Sequence, residues 1–488
     1  MRNKLEATWS RLLSTLWFVP SLIVIGALAL GVVMVQLSAI ADNEILARWP
    51  RLFGANAEAS QSMLSAIAGS MITVAGVTFS ITMVAVTQAS SQYTPRILRN
   101  FMRDRANQVV LGIFVGIFAY CLLVLRTIRS GDDYTFVPSF AVLLSIVLAI
   151  VGIGVLIFFV HHIASTLQAS TILERVSRET VEAIDSLFPQ LMGEEVEGDE
   201  LPSDTRELSA AAWRAVPARR TGYIQRLDAD GLLRAANEHG VVIRMERGIG
   251  EFVVEGLPLA AFVPRSALPV RVAGVASAAN TARGASGATG AAKTSNRARD
   301  ASGTTEAPAG EADIARAIVG QFALSSYRTV DQDVSFGIRQ LVDIALKALS
   351  PGINDTTTAV SCVDYLGAVL VRLVQRRVEQ PCRAVDGELL VIARGPSFHR
   401  LLREAVDEIR QNASNNVSVL ARLVEQLAVV ASVTRLPGRR ALIVEQIELI
   451  REVVERTIQA PSDRRRLILL AERRALEVAT VAPAHLAS

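Results

Sequence analysis

The sequence predicts an α-helical membrane protein: four N-terminal transmembrane helices, then a cytoplasmic α+β region made of a small β-rich domain and a helical bundle. Three observations carry this reading. Of 488 residues, 51% are hydrophobic and 20% charged, with a mean hydropathy of +0.35; this is too apolar for an ordinary soluble chain and too charged for a membrane bundle alone. Every long apolar segment lies before residue 165. One stretch, from Ala59 to Pro95, runs 37 residues without a charge and then breaks into Arg96, Arg99, Arg103 and Arg105. The chain accordingly divides into a transmembrane domain (1–165), a connecting helix and acidic loop (166–216), a β-rich domain (217–272), an Ala/Gly/Ser linker (273–312) and a helical domain (313–488).

The first apolar segment, Leu16 to Leu37, begins beside Trp17, which suits an interfacial anchor. The second covers Leu64 to Val86, the third Val109 to Leu125, and the fourth, the most apolar, Val137 to Val160. A hydrocarbon core of ~30 Å takes about 20 helical residues, so each is long enough to span with some tilt or mismatch. Arg2, Lys4 and Arg11 ahead of a run ending in Ala39-Ile40-Ala41 also suit a cleaved signal peptide. That run, however, exceeds the roughly 7–15 apolar residues of such a leader.

Basic residues in the flanks set the orientation. Arg2, Lys4, Arg11, Arg96, Arg99, Arg103, Arg105, Arg175 and Arg178 lie on one side, against Arg48, Arg51, Arg126 and Arg129 on the other. Both termini are therefore expected in the cytoplasm, with the spans in a bacterial inner membrane.

Beyond the spans the texture changes. A helical stretch ends at Pro189, and Gly193 to Thr205 is acidic and poor in apolar residues. Gly222–Asp228 and Val241–Glu246 read as strands around a short helix at Gly231–His239, and Gly250–Leu259 as a tight β-element. The 273–312 segment has almost no large apolar side chain and is expected to be a flexible linker or insertion. Helical patterns then run from Ile314 to Ala479, with a short β-like piece at Glu388–Ala393. Asp355–Arg377 carries an apolar stripe, but Asp364 and Arg372 argue against a fifth span.

Several function classes fall away. A net charge of +3 gives no footprint for nucleic acid. Cys121, Cys362 and Cys382 have no metal or redox spacing and read as free thiols. No phosphate loop, zinc-protease helix, nucleophile elbow or dinucleotide fingerprint occurs, so the chain is not expected to be an enzyme or to carry a cofactor or a metal. The adjacent His161 and His162 point about 100° apart on a helix and make no two-ligand face.

Three groups of residues remain as candidate sites. Gly69, Thr73, Gly76, Ser80 and Thr87 fall at helical spacings along one face of the second span. Small residues there allow close helix approach, and hydroxyls can bond across such a contact; repeated around an oligomer axis, the same face would line a hydroxyl-coated pore. Arg96, Arg99 and Arg103 share a face just beyond it, either as an anchor on anionic lipid or as an electropositive mouth favouring anions. Ser350, Pro351, Gly352, Asn354 and Asp355 read as helix stop, turn and N-cap. This last group serves as a capped hairpin or as a small-ligand contact.

The exit of the second span, Phe79-Ser-Ile-Thr82 through Gln88-Ala-Ser-Ser-Gln-Tyr-Thr-Pro-Arg-Ile-Leu-Arg-Asn-Phe101, and the motif Ala348-Leu-Ser-Pro-Gly-Ile-Asn-Asp355 together resemble a bacterial family of predicted membrane proteins, domain of unknown function 2254. The resemblance covers nearly the whole chain. It implies N-terminal spans and a soluble C-terminal part, and it brings no activity or site residue with it. The linker at 273–312 looks like an addition to the family pattern. The expected partners are the lipid bilayer, further copies of the chain and a small ion or solute. The leading expectation is an oligomeric channel or transporter, leaning towards anions, with a cytoplasmic gating or assembly domain. The alternative is a non-conducting, membrane-anchored scaffold or sensor that binds a partner through its cytoplasmic helices.

Overall fold

A computed structural model of the chain describes residues 17–40, 57–92, 105–129, 136–166, 168–188, 194–195, 212–267, 310–376, 378, 382–385, 388–434 and 436–480. Arg96, Arg99 and Arg103, the basic N-terminus, most of the acidic loop and the linker as far as residue 309 lie outside these residues. The chain forms two units, Met1–Ile172 and Leu173–Ser488.

The first unit is built from α1 (Phe18–Ile40), α2 (Ala57–Gln92), α3 (Arg105–Thr127) and α4 (Ser139–Thr166). All four are long and apolar enough to cross a membrane; one helix of the second unit, Thr356–Val374, also meets that criterion. The apolar exterior explains the composition. Leu22, Ile25 and Val33 of α1, and Ile150, Ile157 and Val160 of α4, are exposed, an arrangement that water would penalise and hydrocarbon does not.

The centre of this unit is α3, which packs against α1, α2 and α4. Its buried residues include Val110, Phe114, Ile117, Tyr120, Cys121 and Val124, and the Tyr120 hydroxyl donates to the Ala141 carbonyl at 2.9 Å. Glycines let α1 approach α3. A Cβ on Gly112 would lie 2.7 Å from Ile23 Cδ1 and 3.0 Å from the Pro20 Cα; one on Gly116, 3.3 Å from Ala27 Cβ; one on Gly31, 2.6 Å from Leu123 Cδ2. These contacts advance together along both helices, so α1 and α3 run parallel. On α4, Gly152 sits against Met71 and Ile117.

In the second unit α5 (Ala169–Leu187) buries Leu173, Val176, Thr180 and Ile184. Then come β1 (Glu194–Glu195), β2 (Arg214–Pro217), β3 (Gly222–Leu227), α6 (Ala229–Glu238), β4 (Val241–Met245), β5 (Phe252–Val253) and β6 (Pro258–Pro264). After the undescribed segment follow α7 (Glu311–Val319), β7 (Phe322–Ser325), α8 (Val334–Leu349), α9 (Thr356–Val374), β8 (Cys382–Val385) and β9 (Glu388–Ile392). The chain closes with α10 (Phe398–Asn412), α11 (Val417–Val433), α12 (Pro437–Thr457) and α13 (Pro461–Thr480).

The strands form a sheet of order β1-β8-β9-β4-β6-β2 and a smaller one of order β5-β3-β7. Both sheets draw strands from outside 217–272. β9 joins β4 in parallel, pairing Ile243 with Val391, and β7 joins β3 in antiparallel. One core results, with Ile224, Leu232, Ile243, Leu259 and Phe262 packed beside Ile318, Phe322, Leu390 and Val391. A segment of about 55 residues buries too small a fraction of its own surface to stand easily alone, and the later strands and α7 supply the missing cover.

Ion pairs tie the helical part together. Asp185 on α5 accepts from Arg372 Nε and Nη2 (2.6 and 2.9 Å) and from Arg376 Nη2 (2.8 Å). The Arg372 bonds, with Arg376 behind them, hold the Asp185 carboxyl below the usual carboxylate range. Asp364 on α9 pairs with Arg422 and accepts from Gln426 Nε2 at 2.9 Å. Arg439, buried under the Phe398 ring, donates to the Val374 and Arg376 carbonyls (2.7 and 2.8 Å) and so caps the end of α9.

The glycine geometry separates two kinds of position in the first unit. Gly112→Leu is expected to lower the thermal midpoint in detergent, with an overpacking cost of ~1–3 kcal/mol. A Cβ on Gly76 meets nothing within 4 Å, so Gly76→Ala should leave the midpoint unchanged or raise it slightly.

Candidate functional site

The second span packs by one face and shows the other. Ala57, Ser60, Leu64, Ala68, Met71, Ala75 and Thr78 are buried and recur every three or four residues, with Ala85 two turns further on, forming one stripe of α2 against the rest of the bundle. Gly69, Thr73, Gly76, Ser80 and Thr87 fall on the opposite side, and all five are exposed. A Cβ on Gly69 or Gly76 would meet nothing within 4 Å. The predicted face is thus an exposed surface of small and hydroxyl residues, with Met83 between Ser80 and Thr87, and its glycines meet no other helix among the described residues. The close helix approaches within the unit lie elsewhere, at Gly31, Gly112, Gly116 and Gly152.

Two of the three hydroxyls on this face, those of Thr73 and Thr87, are satisfied locally. Thr73 Oγ1 donates to the Gly69 carbonyl (2.8 Å) and Thr87 Oγ1 to that of Met83 (2.9 Å). Off the stripe, Ser70 donates to Ala66 (2.7 Å) and Thr82 to Thr78 (2.8 Å). With the proton committed to the preceding turn, each such oxygen presents lone pairs outward. Arg96, Arg99 and Arg103 follow α2 in sequence and lie outside the described residues.

The bundle interior holds polar groups that pattern reading passed over. Gln108 is 1% exposed, and both its amide atoms lack a hydrogen-bond partner among the described residues, as do Asn107 Oδ1 and Thr78 Oγ1. The available signal was two adjacent carboxamides at the threshold of an apolar segment, where polar side chains are costly unless they face protein or water. Such groups can bond a water or polar solute that enters the bundle. His162 stacks on Phe158 at 5.6 Å, and no cluster of metal-ligating side chains occurs among the described residues.

The turn between α8 and α9 is a compact hairpin. Ser350 Oγ donates to the Lys347 carbonyl (2.7 Å), the Ile353 and Asn354 N–H groups to Ser350 O (3.0 and 2.9 Å), and Asp355 N–H to Ala348 O (2.8 Å). Asn354 stands at φ 48°, a left-handed conformation that asparagine tolerates better than most residues. Asp355 then caps α9, accepting from Thr358 Oγ1 (2.5 Å) and Thr358 N–H (3.0 Å). Those two bonds hold its carboxyl below the usual range. Asn416, the cap of α11, donates to Thr356 Oγ1 at 2.8 Å and ties the two helix starts together. Ser350, Asn354 and Asp355 thus spend these bonds inside the hairpin, although residues 351–355 are all exposed. Pro351 and Gly352 shape the bend.

Comparison with known proteins gives a family match over most of the chain. A family model described as a predicted membrane protein, DUF2254, matches residues 13–429. Two curated proteins, one from Mycobacterium bovis and one from Mycobacterium tuberculosis, both described as uncharacterized, are each 31% identical over 482 residues, covering 98% of this chain and 83% of the relative. No solved structure matches.

Asp355→Ala should cost ~0.5–2 kcal/mol near neutral pH, the usual value of a lost helix cap. Because the folded-state pKa is depressed, that contribution is present above the ordinary aspartate value of about 3.9 and disappears as pH falls through the folded value. Denaturant titrations of wild type and variant should therefore converge in acid. Asn354→Val should destabilise at every pH, whereas Asn354→Gly should not.

Proposed function

The chain belongs to the DUF2254 family of predicted membrane proteins, and on that premise we propose that it is a homo-oligomeric channel or transporter for a small solute in a bacterial inner membrane. In this reading α1 to α4 span the bilayer, both termini are cytoplasmic, and the second unit gates or assembles the pore. α9 is not a span: Asp364 and Arg372 lie within it, and their partners Arg422 and Asp185 belong to the second unit. Hydrocarbon does not accept such pairs cheaply. The protein performs no catalysis.

The observation that supports conduction is the outward face of α2. Its span is the least apolar of the four, with a mean hydropathy of 1.8 against 2.5 to 3.1 for the others. Lipid has no use for Gly69, Thr73, Gly76, Ser80 and Thr87 in one stripe, whereas a symmetric assembly would set the stripes of several copies around an axis. Their outward lone pairs can replace part of a hydration shell. They do not attract an anion, so the anion preference rests on Arg96, Arg99 and Arg103 at the cytoplasmic mouth.

A second reading, a non-conducting scaffold or sensor, draws on the same hydrogen bonds. A hydroxyl satisfied by its own helix can sit in lipid or against another helix without water.

Reconstitution into liposomes separates the two. Conduction predicts solute flux above that of empty vesicles, with Thr73→Leu and Ser80→Leu each lowering it roughly tenfold or more, the effect of about 1.4 kcal/mol on a barrier. Chloride, potassium and small-osmolyte fluxes all at the empty-vesicle level would remove the channel. Normal flux in both variants would remove the α2 face as its lining.

A further inference from the structure

Two turns meet at one edge of the β-rich part. Residues 218–221 join β2 to β3, and residues 254–257 join β5 to β6. They are bonded to each other: Ala218 N–H donates to Leu257 O (2.9 Å), Gly256 N–H to Ala218 O (2.9 Å) and Glu255 N–H to Thr221 Oγ1 (3.0 Å). Gly256 takes φ +84°, and Leu257 N–H closes the turn on Val254 O at 3.1 Å. The result is a tip with a defined backbone, not a loose loop.

Its side chains are of two kinds. Phe252, Val254 and Leu257 are 50%, 44% and 49% exposed, an unusual display of apolar surface for strand and turn residues. The Phe252 ring is fixed edge-on against Tyr223, with centroids 5.0 Å apart. Beside them Arg219 and Arg220 are exposed and have no ion pair among the described residues. Many arginines of this unit are matched, as Arg372 and Arg376 are by Asp185 and Arg422 by Asp364, and others such as Arg226 and Arg234 are exposed without an ion pair among the described residues; what sets Arg219 and Arg220 apart is their place next to exposed apolar side chains. Glu255 is the acidic side chain of the two turns.

We propose that this tip docks on an anionic lipid bilayer, with Phe252, Val254 and Leu257 entering the interface and Arg219 and Arg220 binding lipid phosphates. Apolar side chains flanked by unpaired cations are what such a surface selects, because the rings and aliphatic groups enter at headgroup depth while guanidinium groups take phosphate oxygens. The occupant is set by charge and by tethering. The chain belongs to a family of predicted membrane proteins, so lipid is a constant neighbour of the chain, and tethering strengthens a contact that is weak on its own. Each arginine near an anionic surface contributes about fivefold, or roughly 25- to 30-fold for the pair. The proposal holds whether or not the first unit conducts.

The test uses the full chain in nanodiscs, with bimane on Leu257→Cys and the identically treated wild type as background. In nanodiscs containing roughly a third phosphatidylglycerol, bimane emission should shift to the blue and be quenched by brominated lipid. In pure phosphatidylcholine, quenching should fall severalfold. Arg219→Gln/Arg220→Gln should reproduce that loss in the anionic discs, with an unchanged thermal midpoint showing that the fold survives. Absence of quenching in anionic discs overturns the proposal, as does quenching indifferent to both lipid charge and the arginines. A blue shift confined to discs holding two copies, without quenching by brominated lipid, assigns the tip to a second chain and overturns it equally.

Discussion

Hydrocarbon offers no hydrogen bonds, and the membrane unit is arranged around that constraint. Helices satisfy their own backbone, and the hydroxyls of α2 follow suit: Ser70, Thr73, Thr82 and Thr87 each return their proton to the carbonyl four residues earlier. Those four hydroxyls can face lipid, another helix or water without leaving their donors unpaired, whereas the Thr78 hydroxyl, on the inward stripe, has no partner among the described residues. This freedom lets α2 keep a polar stripe on its outer side while Leu64, Ala68, Met71 and Ala75 pack inward.

The same constraint explains why association inside the unit rests on close fit. Between apolar helices in lipid there is little hydrophobic gain, so contact depends on van der Waals approach and on a few polar bonds. Gly31, Gly112 and Gly116 bring α1 against α3, and the Tyr120 hydroxyl fastens α3 to α4 through the Ala141 carbonyl. The glycines of α2 do not take part. Two sets of small residues, alike in composition, therefore have different roles. One is consumed by the fold, and the other is left on the surface, where the proposed assembly uses it.

In the second unit, charge does the locating. Asp185 holds α5 to α9 through two arginines, Asp364 holds α9 to α11, and Asp355 and Asn416 cap the adjacent starts of α9 and α11. The helix that hydropathy alone would accept as a span is embedded in these pairs. Arg219 and Arg220, without an ion pair among the described residues, are grouped with apolar side chains that the sheet core did not absorb.

Local patterning was enough to determine much of this protein. Four long apolar runs became helices near their expected positions, and the cap at Asp355 was legible because capping depends on residues three apart. The outward stripe of α2 could also be read, since helical spacing decides which residues share a face. What that face meets could not be read, because spacing fixes a face and not its neighbour. The burial of Gln108, the choice of Gly112 over Gly76 for close approach, and the recruitment of β7, β8 and β9 into the sheets were decided by tertiary structure. Each depends on contacts between residues far apart in the chain, and no local period encodes those.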